Sequence, residues 1–73
     1  MKSLNSKLKQ KRTEAGLSQS GLAGCSGVNV RLVQDYEQGH KDINKAAAVT
    51  VYRLANALGC SVEELIEIEE LTD

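Results

Sequence analysis

Residues Ser18 to Glu37, SQSGLAGCSGVNVRLVQDYE, are where the reading of the fold is decided. Their first half, SQSGLAGCSG, puts glycines at 21, 24 and 27 in a chain with six glycines altogether. Alone, those ten residues suit a flexible linker, a phosphate-gripping glycine loop or a poor helix. A phosphate loop wants a buried strand before it, and the preceding segment is instead Lys-rich with Leu4 and Leu8 at helical spacing. Ser18 is a favourable helix N-cap, Leu22 and Ala23 give the helix an apolar side, and Gly27 can take the left-handed conformation that closes it. Asn29 then caps a further helix from Val30 to about Tyr36, with Val33 and Tyr36 three apart on one face. Gly21 and Gly24 disfavour the first of these helices by about 1 kcal/mol each relative to Ala.

Outward from this segment the pattern stays helical. Ser3, Leu4, Leu8, Ala15 and Gly16 predict a first helix of about three turns, capped by Ser3 and stopped by Gly16. Gln38 to Asp42 reads as a loop. A fourth helix starts at Asp42 or Asn44 and runs to Leu58, its stripe of Ala47, Val51, Leu54, Ala55 and Leu58 turned to a core, and Gly59 ends it. Ser61-Val62-Glu63-Glu64 has the form of a capping box opening a short fifth helix, with Val62, Leu65 and Ile66 inward. Residues 68–73 extend that helix or fray. With no linker and no repeat, residues 1–73 read as one all-α domain of five helices, its helix-turn-helix at about 18–37 and an acidic tail at about 67–73.

Composition narrows the function classes. At 73 residues, an elaborate active site does not fit, and the absence of Phe, Trp and Pro leaves a core of Leu, Ile, Val and Ala. Two cysteines, Cys25 and Cys60, without CxxC spacing or a secretory signal, read as free thiols of a cytoplasmic protein, both packed as small buried residues. Two cysteines and one histidine fall short of a zinc site, and no apolar run reaches the roughly twenty residues of a membrane span. No nucleophile–base arrangement, metal cluster, cofactor motif or small-molecule site emerges, so the chain does not read as an enzyme. The net charge of -1 is polarised: Lys2, Lys7, Lys9, Lys11 and Arg12 occupy the first twelve residues without an acid, while Glu63, Glu64, Glu67, Glu69, Glu70 and Asp73 crowd the other end. Such polarity fits a polyanion-facing end opposite an acidic one, or two solvated helix faces.

Two short helices crossing steeply need a small residue at their contact, and Ala23 is placed for it; Gly27 redirects the chain. Val28, Val33 and Tyr36 would anchor the third helix and leave Val30, Arg31, Gln34 and Asp35 facing out, the set that a helix entering the DNA major groove presents. Here the chain resembles the lambda-repressor-like family of Cro, phage-repressor and XRE-type helix-turn-helix regulators. The likeness runs from KRTEAGLSQSGLAGCSGVNVRLVQDYEQG through RLANALGCSVEEL, nearly the whole sequence. It implies that Gln19 contacts a phosphate at the start of the second helix and steadies the recognition helix. It also places Asn29, Val30, Arg31, Gln34 and Asp35 at recognition-helix positions, pairs Arg12 with Glu37, and runs Gln38, His40 and Lys41 along the DNA backbone.

Chemistry gives these positions distinct roles. Arg31 can donate twice to guanine O6 and N7, worth about 1–3 kcal/mol of discrimination; Val30 can pack on a thymine methyl; Gln34 can pair with adenine or reach a phosphate. Lys9 and Lys11, with Lys7 and Lys41, supply charge without reading sequence. Arg31 and Asp35, four apart, could instead form a surface ion pair, and Asp35 could orient Arg31 or accept from cytosine N4. His40 reads as a solvated loop residue or a phosphate contact. The expectation is a sequence-specific transcriptional regulator, a repressor bound to a palindromic double-stranded operator as a homodimer. The alternative is an antitoxin or other interaction module using its acidic C-terminal segment. Leu65, Ile66, Ile68 and Leu71 either form the self-association surface or finish the core.

Overall fold

The computed structural model describes residues 6–66 of the chain. Four α-helices, α1 (Lys7–Glu14), α2 (Gln19–Ser26), α3 (Val30–Gln38) and α4 (Ala48–Leu58), are joined with two single 3-10 turns, Ile43–Lys45 and Val62–Glu64. The described residues are helical as expected, but the fourth and fifth elements differ from the reading by pattern.

α1 starts later than the cap at Ser3 suggests. Its N-cap is Ser6, whose Oγ accepts the Lys9 N–H at 3.0 Å, so the helix has eight residues rather than three turns; Ser3 lies outside the described residues. Capping chemistry explains the shift, because either serine can satisfy an orphan first-turn N–H. α2 and α3 form as their caps predict. Ser18 Oγ accepts the Gly21 N–H at 2.9 Å and Asn29 Oδ1 accepts the Arg31 N–H at 2.7 Å. α3 extends through Gln38, which is therefore helical rather than in the loop, and stops at Gly39.

The fourth helix begins not at Asp42 or Asn44 but at Ala48. Asp42 does act as a cap, its Oδ1 accepting the Asn44 N–H at 2.9 Å, yet it caps only the first 3-10 turn. That turn drives Ile43 into the core, and Ala46 and Ala47 then take extended backbone before α4 begins, which leaves Ala47 an exposed N-cap rather than a core residue. The fifth helix reduces to the 3-10 turn at Val62–Glu64. Its purpose in the fold is to deliver Leu65, fully buried, across the end of α4; Val62 is exposed rather than inward.

Leu8, Leu22, Val28, Val33, Ile43, Val51, Leu54, Ala55 and Leu65 make one aliphatic core, with Leu17, Ala23, Leu32, Tyr36 and Leu58 half-buried around it. Each α-helix and the first 3-10 turn contribute at least one residue, and Leu65 follows the second turn, so the burial of about 1.5–3 kcal/mol per large side chain is shared along the described residues. α2 and α4 both pack on this centre and α3 lies across α2, which fixes the outward side of α3. Cys60 is half-buried against the core, and burial pushes its thiol pKa up, but Cys25 is exposed on α2, contrary to the buried role expected for it. α2 has two buried residues, Leu22 and Ser26; position 25 falls about 100° round the helix from Ser26, away from the core.

Candidate nucleic-acid interface

The turn between α2 and α3 is built from backbone and one hydroxyl. Gly27 has φ 75°, the left-handed region where a Cβ is unfavourable, and its N–H donates to the Ala23 carbonyl at 2.9 Å. Ser26 is buried; its Oγ accepts the Val28 N–H at 3.2 Å and so satisfies the first backbone donor after the glycine. Val28 then enters the core. Ala23 packs against the core from α2 as the small contact residue expected, and Val33 is fully buried on α3. Ser26 was not visible as a turn residue in the sequence, since serine near a helix end is common.

Helical geometry sorts α3 into two sides. At about 100° per residue, Val30, Val33 and Glu37 share one side, and Arg31, Gln34, Asp35 and Gln38 the other. Burial agrees: Val33 and Glu37 are buried, Arg31 and Gln38 are exposed, and Gln34 and Asp35 are half-buried. Val30 is half-buried on the Glu37 side, so it does not face straight out as expected; it lies seven residues before a core-facing position, which is two helical turns. Gln38, placed in the loop by its sequence context, instead completes the outer stripe as the last residue of the helix.

Arg31 and Asp35 do not pair. Asp35 Oδ1 lies 3.7 Å from His40 Nδ1, and the Asp35 carbonyl accepts the backbone N–H groups of His40 at 2.9 Å and Lys41 at 3.2 Å. Among the described residues the Arg31 side chain has neither a hydrogen bond nor an ion pair. Its five donors remain for an external acceptor. His40 and Lys41 follow α3 in an exposed loop, and Lys9 is exposed on α1.

A polar cluster under this surface ties three elements together. Arg12 Nε donates to Glu37 Oε2 at 2.7 Å and Arg12 Nη2 to Glu37 Oε1 at 3.0 Å, a two-pronged pair between α1 and the last turn of α3. Arg12 Nη1 donates to the Leu17 carbonyl at 2.8 Å, just before α2, and Gln19 Nε2 donates to Glu37 Oε1 at 3.1 Å. Only 3% of the Glu37 side chain and 12% of the Arg12 side chain are exposed. The neighbouring carboxylate raises the guanidinium pKa further. Gln19 is thus held by its amide on Glu37, and its position at the first turn of α2 leaves that end of the helix beside α3.

Lys11 and Lys9, two residues apart and thus on different sides of α1, have different surroundings. The Lys11 ammonium lies 3.0 Å from Glu64 Oε1 and 3.9 Å from Glu14 Oε1, so two carboxylates already face it. Glu64 also accepts the Ser61 N–H at 2.9 Å, the reciprocal half of the expected capping box. Chiefly that backbone N–H, and next Lys11, lower the Glu64 pKa to about 2. Glu64 therefore serves the fold, and the rest of the acidic segment beyond Ile66 lies outside the described residues. Arg53 is a residue the sequence reading passed over: the α4 stripe marks it as off the core, but nothing in periodicity says that it stands beside the α2–α3 turn. A methyl group at Gly27 would lie 3.9 Å from Arg53 Nη1.

Two short helices joined through a left-handed glycine, with the second helix bearing an outward polar stripe, define a helix-turn-helix protein. The helix-turn-helix family profile matches residues 8–65, and the chain belongs to the XRE-type branch of that family, whose members are DNA-binding transcriptional regulators. It is 35% identical over 65 residues, 88% of this chain and 78% of the relative, to a SPbeta prophage-derived uncharacterized HTH-type transcriptional regulator, YotL, of Bacillus subtilis strain 168. In structure it is similar to the restriction-modification controller protein C.AhdI from Aeromonas hydrophila, with a TM-score of 0.72 and 35% identity, over 82% of this chain and 86% of that one. Among the described residues no helix is long and apolar enough to cross a membrane.

Proposed function

We propose that the chain is a sequence-specific repressor that inserts α3 into the major groove of a palindromic operator. The observation that carries this reading is the Arg31 guanidinium on the outer stripe of α3, without a bonding partner among the described residues, beside an Asp35 whose Oδ1 lies 3.7 Å from His40 Nδ1. Arg31 reads guanine, Gln34 and Asp35 contact neighbouring base edges, and Val30, at the flank of the helix, meets an apolar base edge such as a thymine methyl. Gln19 and Asn29 at helix starts, with Lys9, Gln38, His40 and Lys41, approach phosphates. Lys11 joins them only by releasing Glu64, so its share is smaller than that of Lys9.

A homodimer would set two α3 helices about 34 Å apart, one DNA turn. Leu65, one of the residues from which a self-association surface could have been built, is buried and serves the core instead; Ile66 is half-buried, and Ile68 and Leu71 lie outside the described residues. Selection of binding sites from random duplexes with purified protein at stated salt tests the reading. A two-fold consensus is expected; Arg31→Ala should relax preference at one position of each half-site, at about 1–3 kcal/mol, while Lys9→Ala weakens all sequences alike. Recovery of no preferred sequence would overturn it and favour an interaction module.

A further inference from the structure

We propose that Arg53 of α4 is a further anchoring cation of the DNA interface, gripping a phosphate beside the α2–α3 turn. The inference rests on the reading of α3 as the groove helix and adds to it a residue from outside the helix-turn-helix. Arg53 is exposed, and among the described residues its guanidinium has no hydrogen bond and no ion pair. It is nevertheless not directed at random. Nη1 lies 3.9 Å from where a Gly27 Cβ would stand, so the fork lies beside the turn, two residues ahead of the Asn29 cap of α3.

The charge pattern around it is a separate observation. From Ala15 to Gln34 the sequence contains no acidic residue, although the chain as a whole is net negative. The turn and the first half of α3 are thus a local cationic region to which Arg31 and Arg53 contribute from different helices. Position 27 carries no side chain, and Gly24, Cys25 and Asn29 are exposed, which leaves the guanidinium uncovered by its neighbours among the described residues. A planar fork with parallel N–H donors matches two phosphate oxygens, and phosphates border the groove that a recognition helix enters. The competing assignment is structural: a cation near the last carbonyls of α2 complements that helix's dipole.

The two roles separate on salt dependence and stability. Wild type, Arg53→Ala, Arg53→Gln and Arg53→Lys are titrated with a mixed-sequence DNA duplex of about 25 base pairs, between two and three helical turns, over a range of salt, and each protein is melted without DNA. Loss of one phosphate contact should reduce the log–log salt slope by about 0.9 and weaken binding by roughly tenfold at about 0.1 M salt in Arg53→Ala and Arg53→Gln. Arg53→Lys should keep the wild-type slope, and all four melting temperatures should agree. Wild-type slopes in the Ala and Gln variants, with or without lower melting temperatures, would overturn the assignment. A wild-type protein that binds the duplex without salt dependence, or not at all, would instead remove the underlying DNA-binding reading, a result recognisable before any variant is compared.

Discussion

Glu37 occupies a position where α3 turns inward, and an apolar side chain would be the simple choice there. A carboxylate is tolerated because all its needs are met: two Arg12 donors, one Gln19 donor, and no buried side-chain nitrogen or oxygen among the described residues without a partner. Glu37→Ala would leave Arg12 shielded and without its counter-charge, at a cost of about 3–5 kcal/mol. Glu37→Gln keeps an acceptor and should cost less; urea melts of the two variants against wild type check the order, and equal stability for all three would remove the cluster from the account. Arg12 and Glu37 were legible through family resemblance, since nothing in local periodicity links residues 25 apart. The Gln19 amide was not legible, because its reach to Glu37 depends on the crossing of α2 and α3.

At the level of elements, the caps and glycines were readable because they act within one turn. Ser18, Asn29 and Gly27 perform as their chemistry dictates. The two 3-10 turns were not readable: a capping residue announces a helical start, but how far the helix continues depends on where Ile43 and Leu65 must go to be buried. α2 keeps a weakness that its sequence shows. At Gly24 an added methyl meets nothing within 4 Å, so Gly24→Ala should stabilise by about 0.5–1 kcal/mol, raising the melting temperature by about 2–8 °C and slowing amide exchange over residues 19–25. At Gly21 the same methyl would lie 3.1 Å from Ser18 Oγ, the atom that caps the helix, and the gain should be smaller. Exchange in α2 as slow as in α4 in the unaltered protein would show that the glycines do not loosen it.

Across the whole molecule, polarised charge in the sequence became partly an internal contact: basic α1 meets the acidic end through Lys11 and Glu64. The Glu64 pKa, near 2 rather than the ordinary 4.5, is held down first by the Ser61 N–H and then by Lys11. A depressed carboxylate pKa contributes stability above its unfolded value and loses it as pH falls toward the folded one. Glu64→Gln should therefore melt below wild type at pH 7, with the gap closing between about pH 4.5 and pH 2; a gap unchanged at pH 2 would assign the effect to packing. Global architecture was legible as all-helical, and the outward stripe on α3 followed from its period. The position of Arg53 depended on how α4 lies against α2 and was not.

The bond from Arg12 to the Leu17 carbonyl, together with the Glu37 pair, also bears on the order of assembly. The Leu17 bond closes over only five residues, whereas the two Arg12 bonds to Glu37 span 25 and close only after α1 and α3 have both docked on the core. Loop-closure entropy disfavours them in an early nucleus, whereas Leu17, Leu22 and the α2–α3 turn are near neighbours in the chain. Interactions made after the folding barrier act mainly as brakes on unfolding. The Arg12 and Glu37 side chains that tie α3 to α1 should thus slow the step in which the molecule opens.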